Sequence, residues 1–287
     1  MEIKLLAFDS FSVRSMATLV KTNKHKILLD PGIAIGPSRY GLSPSRLELE
    51  ALERDREKII RELKKVNEVF ISHYHYDHHP FPDDEEFVKA AYQDKTIYVK
   101  DRNKNINFSQ KKRGYVFEKI AKPIAREIIY CDGLGIDELI FSPPVWHGRE
   151  NTRLGYVIMV YIRDANTALV FAPDVQGPMV KSTAQWITER NPELLIIGGP
   201  PTYMLGYRMT KNDLSMAQEN LIWIMDNSNV KTIIVDHHLL RDINYKENFR
   251  NVFSHGEHVG VKVLTAARFM GMKERLLEAR RKELKEK

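Results

Sequence analysis

Cysteine is nearly absent from this chain, with Cys131 the single example in 287 residues. One thiol excludes an intrachain disulfide framework and every cysteine-rich zinc site, so a metal bound here must be held by imidazole and carboxylate. Long apolar runs are missing as well. No stretch approaches the ~20 residues that cross a bilayer, so no membrane association is expected. The opening segment MEIKLLAFDS lacks the charged-then-apolar layout of a signal peptide and reads as a first strand, which points to a cytoplasmic protein. Repeats, low-complexity tracts and Pro/Gly/Ser linkers are also absent. The length admits one large domain or two small ones, and with no linker a single domain over residues 1–287 is expected.

The remaining composition, 43% apolar and 29% charged, describes an ordinary globular chain with enough apolar residues for a substantial core. The abundance of Lys and Glu beside one Cys fits a thermophile. The net charge of +6 admits an anionic partner such as nucleic acid. Much of the excess sits in RNKNINFSQKKRG (102–114), read as a basic loop, and in RFMGMKERLLEARRKELKEK (268–287), read as a basic C-terminal helix over about 272–287. Solvated helix faces and a basic loop are the simpler explanation of that charge.

Short apolar runs punctuated by turn residues mark strands at IKLLAFDS, MATLVKT, HKILLDPG and NEVFIS, and later at EIIYCD, DELIFSPP, LGYVIMVYIRD, TALVFAPD, PELLIIGGPP and VKTIIVDHH. Helical periodicity marks SRLELEALERDREKIIRELKKV (45–66), with Leu47, Leu49, Leu52, Ile59, Ile60 and Leu63 as its apolar stripe. It also marks DDEEFVKAAYQ, PMVKSTAQWITER and KNDLSMAQENLIWIMDNS. Strands in runs, then strands alternating with helices, predict an α/β layered fold with mixed sheets.

Against this background the stretch ISHYHYDHHP (71–80) stands out, because it holds four of the ten histidines. His73 and His75 are two apart, so on extended backbone they project to one side and can grip one ion. Asp77 and His78 follow where the chain turns. Asp30, His73, His147, Asp174 and His237 each fall at or just past the end of an apolar strand, where loops converge over a rigid base. Imidazole nitrogen and carboxylate oxygen suit zinc, and the same set accepts manganese or iron. His25, His255 and His258 read as ordinary histidines outside this constellation, and His79 as a flanking residue.

The run HYHYDH at 73–78 resembles the His-x-His-x-Asp-His hallmark of the metallo-β-lactamase superfamily, and within it a group of archaeal predicted hydrolases. The superfamily's other motifs follow in order, as Asp30 in LLDPG, His147 in VWHG, Asp174 in FAPDVQG and a late histidine in IIVDHHLLRD. The resemblance implies a four-layer αβ/βα sandwich with two mixed sheets and two divalent ions at one edge, most simply zinc, with Mn or Fe as alternatives. Carried over by position, His73, His75 and His147 would hold the first ion. Asp77, His78 and His237 would hold the second, and Asp174 would bridge. His237 is preferred to His238, which would point the other way on an extended backbone. Asp30 would orient the histidine loop rather than bind metal.

The same resemblance implies a metal-dependent hydrolase that turns an activated water on an ester-type bond, a phosphodiester or a lactone, with Asp77 doubling as a proton acceptor. Tyr203, Tyr207, Arg208 and Arg241 are candidates for binding a small anionic ester. The alternatives are a nuclease or RNA-processing enzyme, a non-catalytic metal-binding protein and a di-iron redox protein, though no flavin domain is attached. A homodimer is left open. The sequence departs from the pattern at Phe81, where a glycine is usual, so the loop must turn on Pro80 and Pro82. The helical insertion at about 44–66, ahead of the histidine loop, is placed where it could cover the site.

Overall fold

A computed structural model describes residues 1–165 and 167–285. The first half of the chain lays down a six-stranded sheet in sequence order: β1 (Glu2–Phe8), β2 (Met16–Lys21), β3 (Lys26–Leu29), β4 (Glu68–Ile71), β5 (Thr96–Val99) and β6 (Glu127–Tyr130). The first three strands pair antiparallel through short turns, and from β3 onward the pairing is parallel. Parallel neighbours need a crossover. Helices α1 (Arg46–Leu63), α2 (Glu85–Tyr92) and α3 (Phe108–Ala121) supply the three crossovers.

The second half builds a seven-stranded sheet of the same style. Its strands are β7 (Gly135–Ile136), β8 (Leu139–Phe141), β11 (Val160–Asp164), β12 (Thr167–Ala172), β13 (Leu194–Gly198), β14 (Thr232–Asp236) and β15 (Lys262–Leu264). They are ordered β15-β14-β13-β12-β11-β8-β7, parallel from β12 to β15 and antiparallel beyond. A separate ribbon pairs β9 (Val145–Trp146) with β10 (Tyr156–Val157). Helices α4 (Lys181–Arg190), α5 (Lys211–Asn227), α6 (Tyr245–Asn248) and α7 (Arg250–Val259) connect the parallel strands, with α8 (Ala266–Phe269) and α9 (Arg281–Lys285) following.

The inner faces of the two sheets meet in one apolar core, where Phe70 packs edge-on to Phe171 and tilted against Phe141. Helices α1–α3 cover the outer face of the first sheet and α4, α5 and α7 that of the second. The four-layer αβ/βα sandwich with two mixed sheets is therefore present. Because both sheets bury two faces, their parallel strands are near-continuous apolar runs ending in polar residues, and those ends gather along one edge.

Several local readings are corrected. The run 154–164 is two strands, not one. At Ile158 and Met159 the backbone N–H groups donate to Ser72 O and Ser142 Oγ, so the chain leaves the ribbon before joining the large sheet. The basic segment 102–114 is a loop only as far as Asn107, whose side chain caps α3 by accepting from Gln110 N. The basic C-terminal helix shrinks to Arg281–Lys285; residues 272–280 are irregular, and 286–287 lie outside the described residues. Helix α1 spans 46–63 behind a Ser45–Glu48 capping box and is the crossover between β3 and β4. Its buried face is Ala51, Ile59, Ile60 and Leu63, packed on the outer side of the first sheet, while Leu47 and Leu49 are exposed. It is a sheet-covering element, not a cover for the strand ends.

The tail of the chain is fixed by polar contacts. Arg275 N donates to Ser10 O, Arg14 pairs bidentately with Glu278, and Tyr40 Oη donates to Ala279 O. Arg281, fully buried, pairs with Glu48 and donates to Gly36 O and Leu42 O. This C-terminal strap closes over the start of the chain.

Candidate metal centre

Three residues at the strand-end edge sit in the left-handed backbone region although none is glycine: Asp30 (φ 44°) after β3, Asp174 (φ 52°) after β12 and His237 (φ 62°) after β14. Such conformations are costly and gather at functional sites. Here each swings a side chain into the gap between the sheets. Gly32 permits the same crowding, since a Cβ there would lie 2.1 Å from the backbone nitrogen of His79.

Six histidines and two aspartates converge in that gap. His73, His75, His147 and Asp174 form one group with ligand atoms mutually within 4.8 Å; Asp77, His78 and His237 form a second; Asp174, His237 and His238 form a third. Asp174 is central and 1% exposed. Its Oδ2 lies 3.3 Å from His73 Nε2, 3.2 Å from His78 Nε2 and 2.8 Å from His147 Nε2. Its Oδ1 lies 3.1 Å from His237 Nε2 and 3.2 Å from His238 Nε2.

The outward nitrogens of several rings are committed, which fixes the tautomers. Asp30 accepts from Ser72 N at 2.7 Å, from Ser72 Oγ at 2.6 Å and from His78 Nδ1 at 2.7 Å. With its hydroxyl proton given to Asp30, Ser72 Oγ accepts from His73 Nδ1 at 2.9 Å. His237 Nδ1 donates to Asp9 Oδ2 at 2.7 Å, and Arg241 Nε donates to Asp9 Oδ1 at 2.6 Å. Gln176 Nε2 stands 3.5 Å from His147 Nδ1. For His73, His78 and His237, Nε2 is left facing inward. Asp30 thus orients the histidine loop as the sequence suggested, and Asp9 does the same for His237.

Electrostatics divide the cluster. Burial, reinforced by neighbouring imidazoles, pushes His73 well below its ordinary pKa and His75 down to about 3, so both are neutral bases. Burial opposes charge on His78 as well, but Asp174 and Asp30 outweigh it and hold its pKa well above the ordinary value. For His237, Asp9 and Asp174 overcome burial and raise the pKa to about 9. Burial would raise Asp174 and Asp77, yet the facing histidines hold both carboxylates well below their usual range. The buried atoms His78 Nε2, His147 Nε2, Asp174 Oδ1 and both nitrogens of His238 have no hydrogen-bond partner. Each such atom costs ~1–3 kcal/mol. Concentrated at one point on nitrogen and oxygen donors, they fit a divalent cation.

The metal-competent residues singled out in the sequence, His73, His75, Asp77, His78, His147, Asp174 and His237, are all brought together. His238 was expected to point away, but the backbone from His237 to Arg241 is a 3-10 turn, so both rings face Asp174. Arg241 is corrected from a substrate candidate: it is 4% exposed and committed to Asp9, with Nη2 3.3 Å from His237 Nε2 and 3.7 Å from Asp77 Oδ2. Tyr203 lies under the Arg39 guanidinium. Tyr207 is 78% exposed with Arg208 over its ring, and neither contacts the cluster among the described residues. Phe81, in the place of the usual glycine, stacks on Tyr76 at 4.4 Å. His79 is buried against Tyr92, while His25 and His255 pair elsewhere with Glu68 and Asp226. Asp9 was missed, since one carboxylate in AFDSF carries no local signal.

Comparison with known proteins agrees with this geometry. The sequence model of the metallo-beta-lactamase superfamily matches residues 13–79, which include Asp30 and the whole histidine loop. Among solved structures, Tm1679, described as a metal-dependent hydrolase of the beta-lactamase superfamily, superposes with a TM-score of 0.54 at 13% identity, over 92% of this chain and 95% of that one. The metallo-beta-lactamase fold protein YhfI from Bacillus subtilis gives 0.53 at 14% identity, over 95% and 97%. A UPF0282 protein of Methanopyrus kandleri is 43% identical over 295 residues, covering 99% of each chain. One from Thermococcus sibiricus is 43% identical over 295 residues, covering 99% of this chain and 94% of its own. The chain therefore has the metallo-β-lactamase fold, its residues 13–79 match the model of that superfamily, and it belongs to the UPF0282 family of archaeal proteins.

Proposed function

We propose that the protein hydrolyses an ester-type bond in a small anionic substrate, using two divalent ions, zinc in the first instance. The observation that carries this reading is the pair of donor groups that meet at Asp174. When bound, two such ions supply a Lewis acid and lower the pKa of a water toward neutrality. The chain's part is to hold the donors. His73, His75 and His147 present nitrogens on one side; Asp77, His78 and His237 face them across the Asp174 carboxylate. Asp77 is the more accessible aspartate, 18% exposed at its side chain against 1% for Asp174. Held ionised beside His78 and His237, it is placed to take a proton during attack. Tyr203, with Arg39 over its ring, is the candidate for orienting an anionic group.

A second reading is supported by α3. Phe108 and Tyr115 on this helix are 85% and 57% exposed among Lys111 and Lys112, a mixture of ring and cation that suits single-stranded nucleic acid. The helix is tied to the histidine loop, because Gln110 Oε1 accepts from Tyr74 N.

Elemental analysis of the purified protein, then assay on phosphodiester, lactone, thioester and RNA substrates, tests both readings. The first expects turnover of a small ester that chelator abolishes and zinc or manganese restores. Cleavage of RNA alone, with binding that weakens steeply with salt, would replace it with the second. A chain loaded with two ions and inert on the whole panel would sink both.

A further inference from the structure

The late histidine is not a choice between His237 and His238. We propose that both are ligands of the same ion, so that the second half of the centre carries three imidazoles, as many as the first. The inference rests on the two-ion reading above. His238 Nε2 lies 3.2 Å from Asp174 Oδ1, and His237 Nε2 lies 3.1 Å from the same oxygen. Donor atoms ~2.1 Å from a common ion stand about 3.0–3.4 Å apart at octahedral or tetrahedral angles. Both separations fall in that range.

The state of the ring supports this. The His238 side chain is 14% exposed, yet neither of its buried nitrogens has a hydrogen-bond partner. A histidine serving only structure would have found one, as His79 does with Tyr92 and His255 with Asp226. The 3-10 turn sets the two rings side by side, with centroids 4.5 Å apart. Asp174, His237 and His238 form one donor group with ligand atoms mutually within 4.8 Å, beside the group of Asp77, His78 and His237. His237 belongs to both groups, so an ion held by His237 has the His238 ring within reach.

The test is metal binding itself. Full-length protein stripped by chelator is titrated with Zn²⁺ and with Mn²⁺, and bound metal per chain is counted for wild type, His238→Ala, His238→Gln and a surface control, His258→Ala. Circular dichroism checks that each variant is folded, with the Gln variant retained should the Ala variant fail. The expected result is that loss of His238 weakens one of the two ions by more than about a hundredfold, the upper end for removing a mere supporting contact, while the other ion holds. Mn²⁺ affinity should fall with it. Two ions bound as in wild type, with only KM raised, would show His238 to be a substrate contact and overturn the proposal; so would a loss of tenfold or less, or a wild type that binds fewer than two ions. Two ions bound with no hydrolysis of any substrate would leave the ligand assignment standing and remove only the hydrolase reading.

Discussion

The two halves of the centre are built by different means. In the group of His73, His75, His147 and Asp174 burial holds His73 and His75 neutral, and Ser72 and Gln176 stand behind the rings of His73 and His147. The group of Asp77, His78 and His237 is a charge network in which Asp30, Asp9 and Arg241 stand behind the rings. In one half His73 and His75 carry no proton for a cation to displace. The other must first give up protons, and depends on carboxylates far from it in sequence. The ions should therefore be acquired unequally, and remote changes should fall on one half.

The largest effect is expected where the halves join. Asp174→Ala should remove both ions from the purified protein and lower any ester hydrolysis by at least about a thousandfold, since a metal Lewis acid supplies several kcal/mol. A variant that keeps both ions would break the comparison at its centre. Acid should separate the halves next. His78 and His237 have pKa values raised in the empty protein, His237 to about 9, so they are protonated at neutral pH and an ion must displace those protons. Affinity for the second ion should therefore fall as pH drops below about 9, by about a hundredfold or more between pH 8 and pH 6. With His73 and His75 already unprotonated, the first ion should change far less. Calorimetry in buffers of different ionisation heat measures the protons released.

Smaller effects follow from the supporting carboxylates. Asp9→Asn should weaken the second ion about 10–100-fold and spare the first. Asp30→Asn should weaken both, because Asp30 holds His78 directly and His73 through Ser72. Equal losses of both ions from Asp9→Asn would refute the division. The mildest change is Ser72→Ala, which removes one hydroxyl between Asp30 and His73. It should cost about 1 kcal/mol, read as a several-fold weaker first ion.

How far the sequence carried follows from the range of each interaction. The loop from His73 to His78 was readable because its logic is local: a strand of known period, an abrupt end and metal-competent residues at spacing two. His147, Asp174 and His237 were readable because each closes an apolar strand. Asp9 was not, because its partners arise only when the two sheets stack. The direction of His238 was misread because a strand rotates side chains by half a turn per residue, whereas the 3-10 turn at His237–Arg241 rotates them by a third. Arg241 resembled a surface arginine for the same reason: its burial is set by Asp9, 232 residues away. The C-terminal segment has helical composition, but the burial of Arg281 against Glu48 holds the chain before it in an irregular path.

The strap that ends at Arg281 has a consequence for how the centre is held together. The donors of the first half all lie within residues 73–174. The second half needs His237 to meet Asp9 across 228 residues, and the neighbouring segment that includes Ser10, Ser12 and Arg14 is fastened by Arg275 and Glu278. The first group is therefore drawn from one continuous stretch of the chain, whereas the second is set in place by contacts that join its two ends.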